Sequence, residues 1–252
     1  MTSNDSVSAG TLNSDPNSAR YPLFFAHFFD LDHTLWDFEA NARATLETLY
    51  EDLGLEAIGV DDFELFYKNY LIYNDMLWER YRKGLIKQEE LRIKRMRLAL
   101  LDFKIADEAL SQKMNTQFLD LLPTRTILFP HTKEILQWLT DKNYEVHLIT
   151  NGFEKVQHNK LKYSGLDTFF KEVITSEGSN SLKPNKEIFE YAFNKTGANP
   201  SESIMIGDTI EVDIQGAINA GIDQVFVNYQ NIQTEIKPTY MVNSLKELEE
   251  IF

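Results

Sequence analysis

The chain has 252 residues, 39 of them acidic and 25 basic, for a formal net charge of −14. That length allows one or two domains with a substantial core, and the acidic balance argues against gripping a nucleic-acid backbone, which takes Lys and Arg in excess. Cysteine is absent, which removes disulfides, thiolate nucleophiles and Cys-ligated zinc.

Residues 1–22, rich in Ser, Asn, Asp and Thr, read as a disordered tail with no apolar run of the signal-peptide kind. The longest apolar stretch, 21–29, is too short to span a membrane, so the expected location is the cytoplasm. Residues 23–29 (LFFAHFF) predict a strand buried on both faces. Helices are expected over 39–53, 62–83, 88–101 and 107–122, broken at Gly54, Gly59, Gly84 and 102–106 and closed by Pro123. From 132 onward helices and strands alternate. Helices are expected at 132–141, 154–163, 185–195 and 211–220, each leading to a strand, at 144–149, 172–174, 203–206 and 224–227. A last strand near 240–242 precedes a helix from Ser244. Alternation of this kind means a parallel sheet with helices on both faces. The expected class is α/β: a Rossmann-like three-layer core (23–36 and 124–252) interrupted after its first strand by an α-helical cap (37–123).

Four polar clusters fall at the carboxyl ends of these strands. They are Asp30-Leu31-Asp32-His33-Thr34-Leu35, Thr150-Asn151-Gly152, Lys183-Pro184, and the run from Gly207-Asp208 to Asp213. Ligands of open parallel sheets bind on that edge, where strand order reverses. Asp30, Asp32, Asp208 and Asp213 against Lys183 make a strongly negative pocket. Carboxylate oxygens with no His or Cys favour Mg2+. An arriving phosphate dianion then requires one aspartate to be protonated, and like-charge crowding raises a carboxyl pKa enough for that. A protonated carboxyl two residues from an ionised one is a general acid beside a nucleophile.

These segments resemble the haloacid dehalogenase-like superfamily of aspartate-nucleophile phosphatases, whose four motifs occur here in order from about residue 23 to the end. The segments FDLDHTLWDF, ITNGF, LKPNKEIF and GDTIEVDIQGAINAG are similar to the pyrimidine (noncanonical) 5′-nucleotidase branch. The resemblance implies that Asp30 attacks phosphorus to form an aspartyl phosphate and that Asp32 protonates the leaving alkoxide and then activates water. It implies that Thr150 and the amides around Asn151 hold phosphoryl oxygens and that Lys183 balances their charge. Mg2+ would meet Asp30, the Asp32 carbonyl and Asp208, with Asp213 behind them. True dehalogenases lack an aspartate at position 32, because a halide leaving group takes no proton, so its presence here points to phosphate esters.

The implied reaction is Mg-dependent hydrolysis of nucleoside 5′-monophosphates, pyrimidine ones first. Its rivals are another small phosphate (a sugar phosphate or phosphoglycolate), a phosphomutase, and a phospho-aspartate signalling module. The last would use neither Asp32 as an acid nor a lid of this size. The expected partner is a small phosphate ester, with no nucleic-acid polymer and no membrane, for a monomer or weak homodimer. In the cap, Phe63, Phe66, Tyr70, Tyr73, Leu77 and Tyr81 are spaced as the inward face of a packed helix. The basic run from Arg80 to Arg97, interleaved with Glu79, Glu89 and Glu90, reads as a solvated face. His27, His131, His147 and His158 read as structural, and Trp36 or Phe38, next to the first motif, as substrate contacts.

Overall fold

In a computed structural model, which describes residues 25–252, six parallel strands form one sheet. They are β1 (Ala26–Phe29), β2 (Glu145–Thr150), β3 (Glu172–Thr175), β4 (Ser203–Gly207), β5 (Asp223–Val227) and β6 (Tyr240–Val242), in the order β3-β2-β1-β4-β5-β6. The expected tail at 1–22 and the start of the strand expected at 23–29 lie outside the described residues. All four residues of β1 and all five of β4 are buried, as helices on both sides require. The chain lays β1 in the middle, builds outward through β2 and β3, then crosses back to place β4 on the other side. Strand order therefore reverses between β1 and β4. Phe29 pairs with both Leu148 and Ile206, so Asp30, Thr150 and Asp208 emerge together on the carboxyl edge.

Between β1 and β2 run helices α1 (Phe38–Asp52), α2 (Phe63–Arg82), α3 (Gln88–Leu101) and α4 (Glu108–Leu121). Asp37, Asp62 and Asp107 cap α1, α2 and α4, each accepting a backbone N–H of the first turn. On α2 the stripe faces inward as its spacing predicts: Phe66, Tyr70 and Leu77 are buried, with Tyr70 against Phe118 of α4 at 5.5 Å. The remaining helices are α5 (Thr132–Asp141), α6 (Glu154–Ser164), a single turn α7 (Ser176–Ser179), α8 (Lys186–Thr196) and α9 (Gln215–Ala220). No helix among the described residues is long and apolar enough to cross a membrane.

Local differences from the sequence reading have physical causes. The helix expected at 211–220 opens as a π-turn over Ile210–Ile214 and becomes α-helical only at Gln215. The wide turn lets Asp213 fold back so that its Oδ2 accepts the N–H of Thr209 at 3.0 Å. The helix expected from Ser244 is a 3-10 stretch, Leu245–Glu250. The basic run is only partly solvated. Lys83 and Lys94 pair with Glu79 and Glu90 at i, i+4, but Arg95 is buried and Arg82 borders the cavity described next.

Candidate active site

A cavity of about 400 Å³ lies over the carboxyl edge of the sheet. Asp30, Asp32, Thr150, Asn151, Lys183, Asp208 and Asp213 border it from the sheet side, and Asn74, Trp78, Arg82 and Arg95 from the helices opposite. Asp30 and Asp208, far apart in sequence, thus share one pocket because the parallel strands end at one level.

Lys183 is the hub. It is 1% exposed, and its Nζ lies 2.5 Å from Asp30 Oδ1 and 2.7 Å from Asp213 Oδ1 while donating to the Ile149 carbonyl at 2.7 Å. Burial alone depresses a lysine, but Asp213 and Asp30 overcome it and raise this one above its usual range. Asn151 fixes the loop that carries Lys183: its Oδ1 accepts the Lys183 N–H at 2.7 Å and its Nδ2 donates to the Lys183 carbonyl at 2.9 Å. Both ends of the amide are therefore engaged with backbone. The Thr150 hydroxyl oxygen accepts from the Gly152 N–H at 3.0 Å and from Gln157 Nε2 at 2.8 Å, which leaves its own proton to donate.

Desolvation pushes Asp30 well above the ordinary carboxyl range, helped by Asp213 and Asp208 and opposed by Lys183. Asp208, buried beside Asp213, is pushed up to about 6. Its partners are the hydroxyls of Thr34 at 2.8 Å and Thr209 at 3.2 Å. One ligand oxygen from each of Asp30, Asp208 and Asp213 lies within 4.8 Å of the others. Crowded, largely buried carboxylates offering hard oxygen donors make a set that fits a small divalent cation. Asp213, already paired with Lys183 and held by the Thr209 N–H, is the least free of the three.

Asp32 is held differently. Burial favours its neutral form, but the Lys160 ammonium 2.5 Å from Oδ1 and Gln157 Nε2 2.8 Å from Oδ2 outweigh it and lower the carboxyl below its usual range. Sequence reasoning missed both partners. Gln157 and Lys160 sit at i, i+3 on α6 and are buried along the face that carries Leu161 and Ser164. Polar residues in the buried positions of a helical period were the available signal.

Of the two aromatic substrate contacts expected, the cavity bears on only one. Phe38 borders it, but Trp36 is fully buried beneath, donating from Nε1 to the Arg125 carbonyl at 3.3 Å with Lys160 Nζ 4.3 Å from its ring. A large ring in the loop that follows the first motif, bridged to Asp32 and Leu128, is absorbed by the core. Trp78, which the reading of the stripe passed over, stacks on Phe153 at 5.3 Å, and the Arg92 guanidinium lies 4.2 Å from the same ring.

A family model described as haloacid dehalogenase-like hydrolase matches residues 28–227. The chain is 33% identical over 231 residues to the pyrimidine 5′-nucleotidase YjjG of Escherichia coli, covering 89% of this chain and 96% of that one. It is 31% identical over 223 residues to the pyrimidine 5′-nucleotidase PynA of Streptococcus pneumoniae, covering 87% and 91%. Among solved structures, that of the HAD-hydrolase YfnB from Bacillus subtilis, described as bound to magnesium, superposes with a TM-score of 0.82 at 26% identity, over 90% of this chain and 98% of that one.

Proposed function

The chain belongs to the haloacid dehalogenase-like hydrolases as a phosphatase, and from that premise we propose that it hydrolyses nucleoside 5′-monophosphates, pyrimidine ones first. The observation that carries the reading is the cavity's polarity: a pole of carboxylates with one lysine around Asp30 and Lys183 on one wall, and Asn74, Trp78 and Arg95 on the other. The pyrimidine 5′-nucleotidase names of its relatives support the same substrate.

Asp30 Oδ attacks phosphorus and the P–O bond to the nucleoside breaks; Asp32, held ionised by Lys160 in the free enzyme, takes up a proton from the phosphate monoanion as the ester binds and passes it to the departing 5′-oxygen. Water then attacks the aspartyl phosphate, Asp32 takes its proton, and the Asp30–phosphorus bond breaks to release orthophosphate. Thr150 donates its hydroxyl proton to a phosphoryl oxygen, and Lys183 offsets charge on Asp30 and the phosphoryl group. Positioning and countercharge carry most of the rate in such a loose transition state. Asp30, Asp208 and the Asp32 carbonyl would hold Mg2+, with Asp213 behind them, and the cation would supply charge neutralisation and a fixed orientation for the phosphoryl oxygens. Magnesium in the YfnB structure supports that choice. The helices between 37 and 123 serve as a cap that excludes water. Phe153, beside Trp78 and Arg92, and the 2.9 Å hydrogen bond from Gln88 to Glu177 are among the contacts that tie it to the sheet domain.

Phosphate release from UMP, CMP, AMP, ribose 5-phosphate and phosphoglycolate, with Mg2+ and with EDTA, tests the reading. It predicts kcat/KM at least tenfold higher for a pyrimidine nucleotide than for either non-nucleotide ester, and loss of turnover in EDTA. A preference for ribose 5-phosphate or phosphoglycolate overturns it.

A further inference from the structure

The wall of the cavity opposite the sheet carries two polar side chains that the phosphoryl chemistry leaves unused. Asn74 on α2 and Arg95 on α3 are each 3% exposed, yet both border the cavity. Arg95 Nη1 donates to Asn74 Oδ1 at 3.1 Å, and its guanidinium packs 4.8 Å from the Phe118 ring centroid. Their hydrogen-bonding capacity is not used up. Arg95 Nε is buried without an acceptor, and the Asn74 amide nitrogen has a marginal 3.4 Å contact with Asp75. Buried donors are nearly always satisfied, because one left unmade is costly. On the wall of a substrate cavity, the substrate itself is the acceptor at hand.

We infer that Asn74 and Arg95 read the base of the nucleotide and select uracil or thymine over cytosine. The inference rests on the nucleotide reading above. The guanidinium donating to Oδ1 sets which way the amide faces, since a flipped amide would turn its NH2 group against a cationic N–H. In that orientation the pair offers a guanidinium N–H, an amide oxygen with a lone pair remaining, and an amide N–H: donor, acceptor, donor. Uracil and thymine present O2, N3–H and O4, which are acceptor, donor, acceptor. Cytosine presents a lone pair at N3 and an amino group at C4, so it sets acceptor against acceptor and donor against donor. A site built around buried hydrogen bonds rejects the ligand that leaves them unmade. Arg95 acts on the base both directly and by orienting Asn74.

The test is kcat/KM for UMP, CMP and ribose 5-phosphate in the wild type, Asn74→Ala and Asn74→Asp. The wild type should prefer UMP to CMP by tenfold or more. Asn74→Ala should lower the ratio of UMP to ribose 5-phosphate by roughly 10- to 100-fold. Asn74→Asp, nearly isosteric and the working variant if the alanine protein fails to fold, keeps an acceptor but loses the donor, so it should narrow or invert the UMP-to-CMP ratio. A common factor on all three substrates would mean that Asn74 only packs the helices, and an unchanged UMP-to-CMP ratio in Asn74→Asp would also overturn the inference. A wild type that prefers ribose 5-phosphate overturns the nucleotide reading and this inference together. A wild type that prefers nucleotides, with ratios insensitive to both variants, overturns this inference alone.

Discussion

Replacing Asp208 by asparagine should make the protein less active and more stable, the gain following from the raised pKa of its buried carboxyl. Burial, with the Asp213 carboxylate beside it, pushes the Asp208 carboxyl from 3.8 up to about 6. The unfolded chain therefore releases this proton near pH 4 and the folded chain only near pH 6, so folding stability falls as pH rises through that window and stays low above it. At 1.36 kcal/mol per pH unit the ionised side chain costs the folded state about 3 kcal/mol at pH 7.5 and about 1 kcal/mol at pH 4.5. Asparagine keeps an oxygen for the Thr34 hydroxyl and carries no charge to desolvate. Urea unfolding in EDTA should then show Asp208→Asn more stable than the wild type by about 3 kcal/mol at pH 7.5, the gap shrinking to about 1 kcal/mol at pH 4.5. Mg2+ at about ten times its Kd should restore about 1.4 kcal/mol to the wild type by mass action and much less to the variant. No gain at pH 7.5, or one equal at both pH values, would refute the view that desolvated charge awaiting a cation destabilises this pocket.

The two aspartates of the first motif separate by leaving group. Asp30→Asn should abolish turnover of every ester. Asp32→Asn should slow UMP by roughly 10²- to 10⁴-fold and p-nitrophenyl phosphate much less, since an activated phenolate takes little protonation; equal slowing of the first step for both would remove the acid role. Gly207→Ala would place a Cβ 2.5 Å from Asp213 Cγ, pushing Asp213 off Lys183, so kcat should fall and stability drop by about 1–3 kcal/mol; a fully active, equally stable variant counts against the ion-pair hub. His27, fully buried beside His147, is held down at about 3, so the unfolded chain takes up a proton below pH 6.5 that the folded chain refuses until about pH 3. Stability should therefore fall by about 2 kcal/mol between pH 7.5 and 5.0 from this residue alone, and His27→Phe should flatten that part of the unfolding curve; an unaltered pH profile contradicts it.

Much of the sheet was legible in the sequence because a parallel strand covered on both faces has no alternative to an apolar run, and the segments after β1, β2 and β4 carry their chemistry in contiguous residues. Lys183 reads as a site residue for the same reason, since its loop follows β3. The partners of Asp32 were not legible. Gln157 and Lys160 lie more than 120 positions from it, on a helix whose polar residues ordinarily face water, and only the packing of α6 against the sheet edge brings them in. Arg95 was misread for a similar cause: a long cation in a strongly charged helical run looks solvated until the aromatic surface of Phe118 and the Asn74 side-chain carbonyl are placed beside it. Trp36 failed in the opposite direction, because nearness in sequence to the first motif did not outweigh the burial of so large a ring.

The central claim is that this pocket passes a phosphoryl group to Asp30, and trapping that adduct tests it most directly. Single-turnover reaction of Asp32→Asn with UMP labelled in the phosphate, quenched in acid and digested, should leave the label on the peptide containing Asp30. A label on another residue, or uridine released at the wild-type rate by Asp30→Asn, would contradict the account.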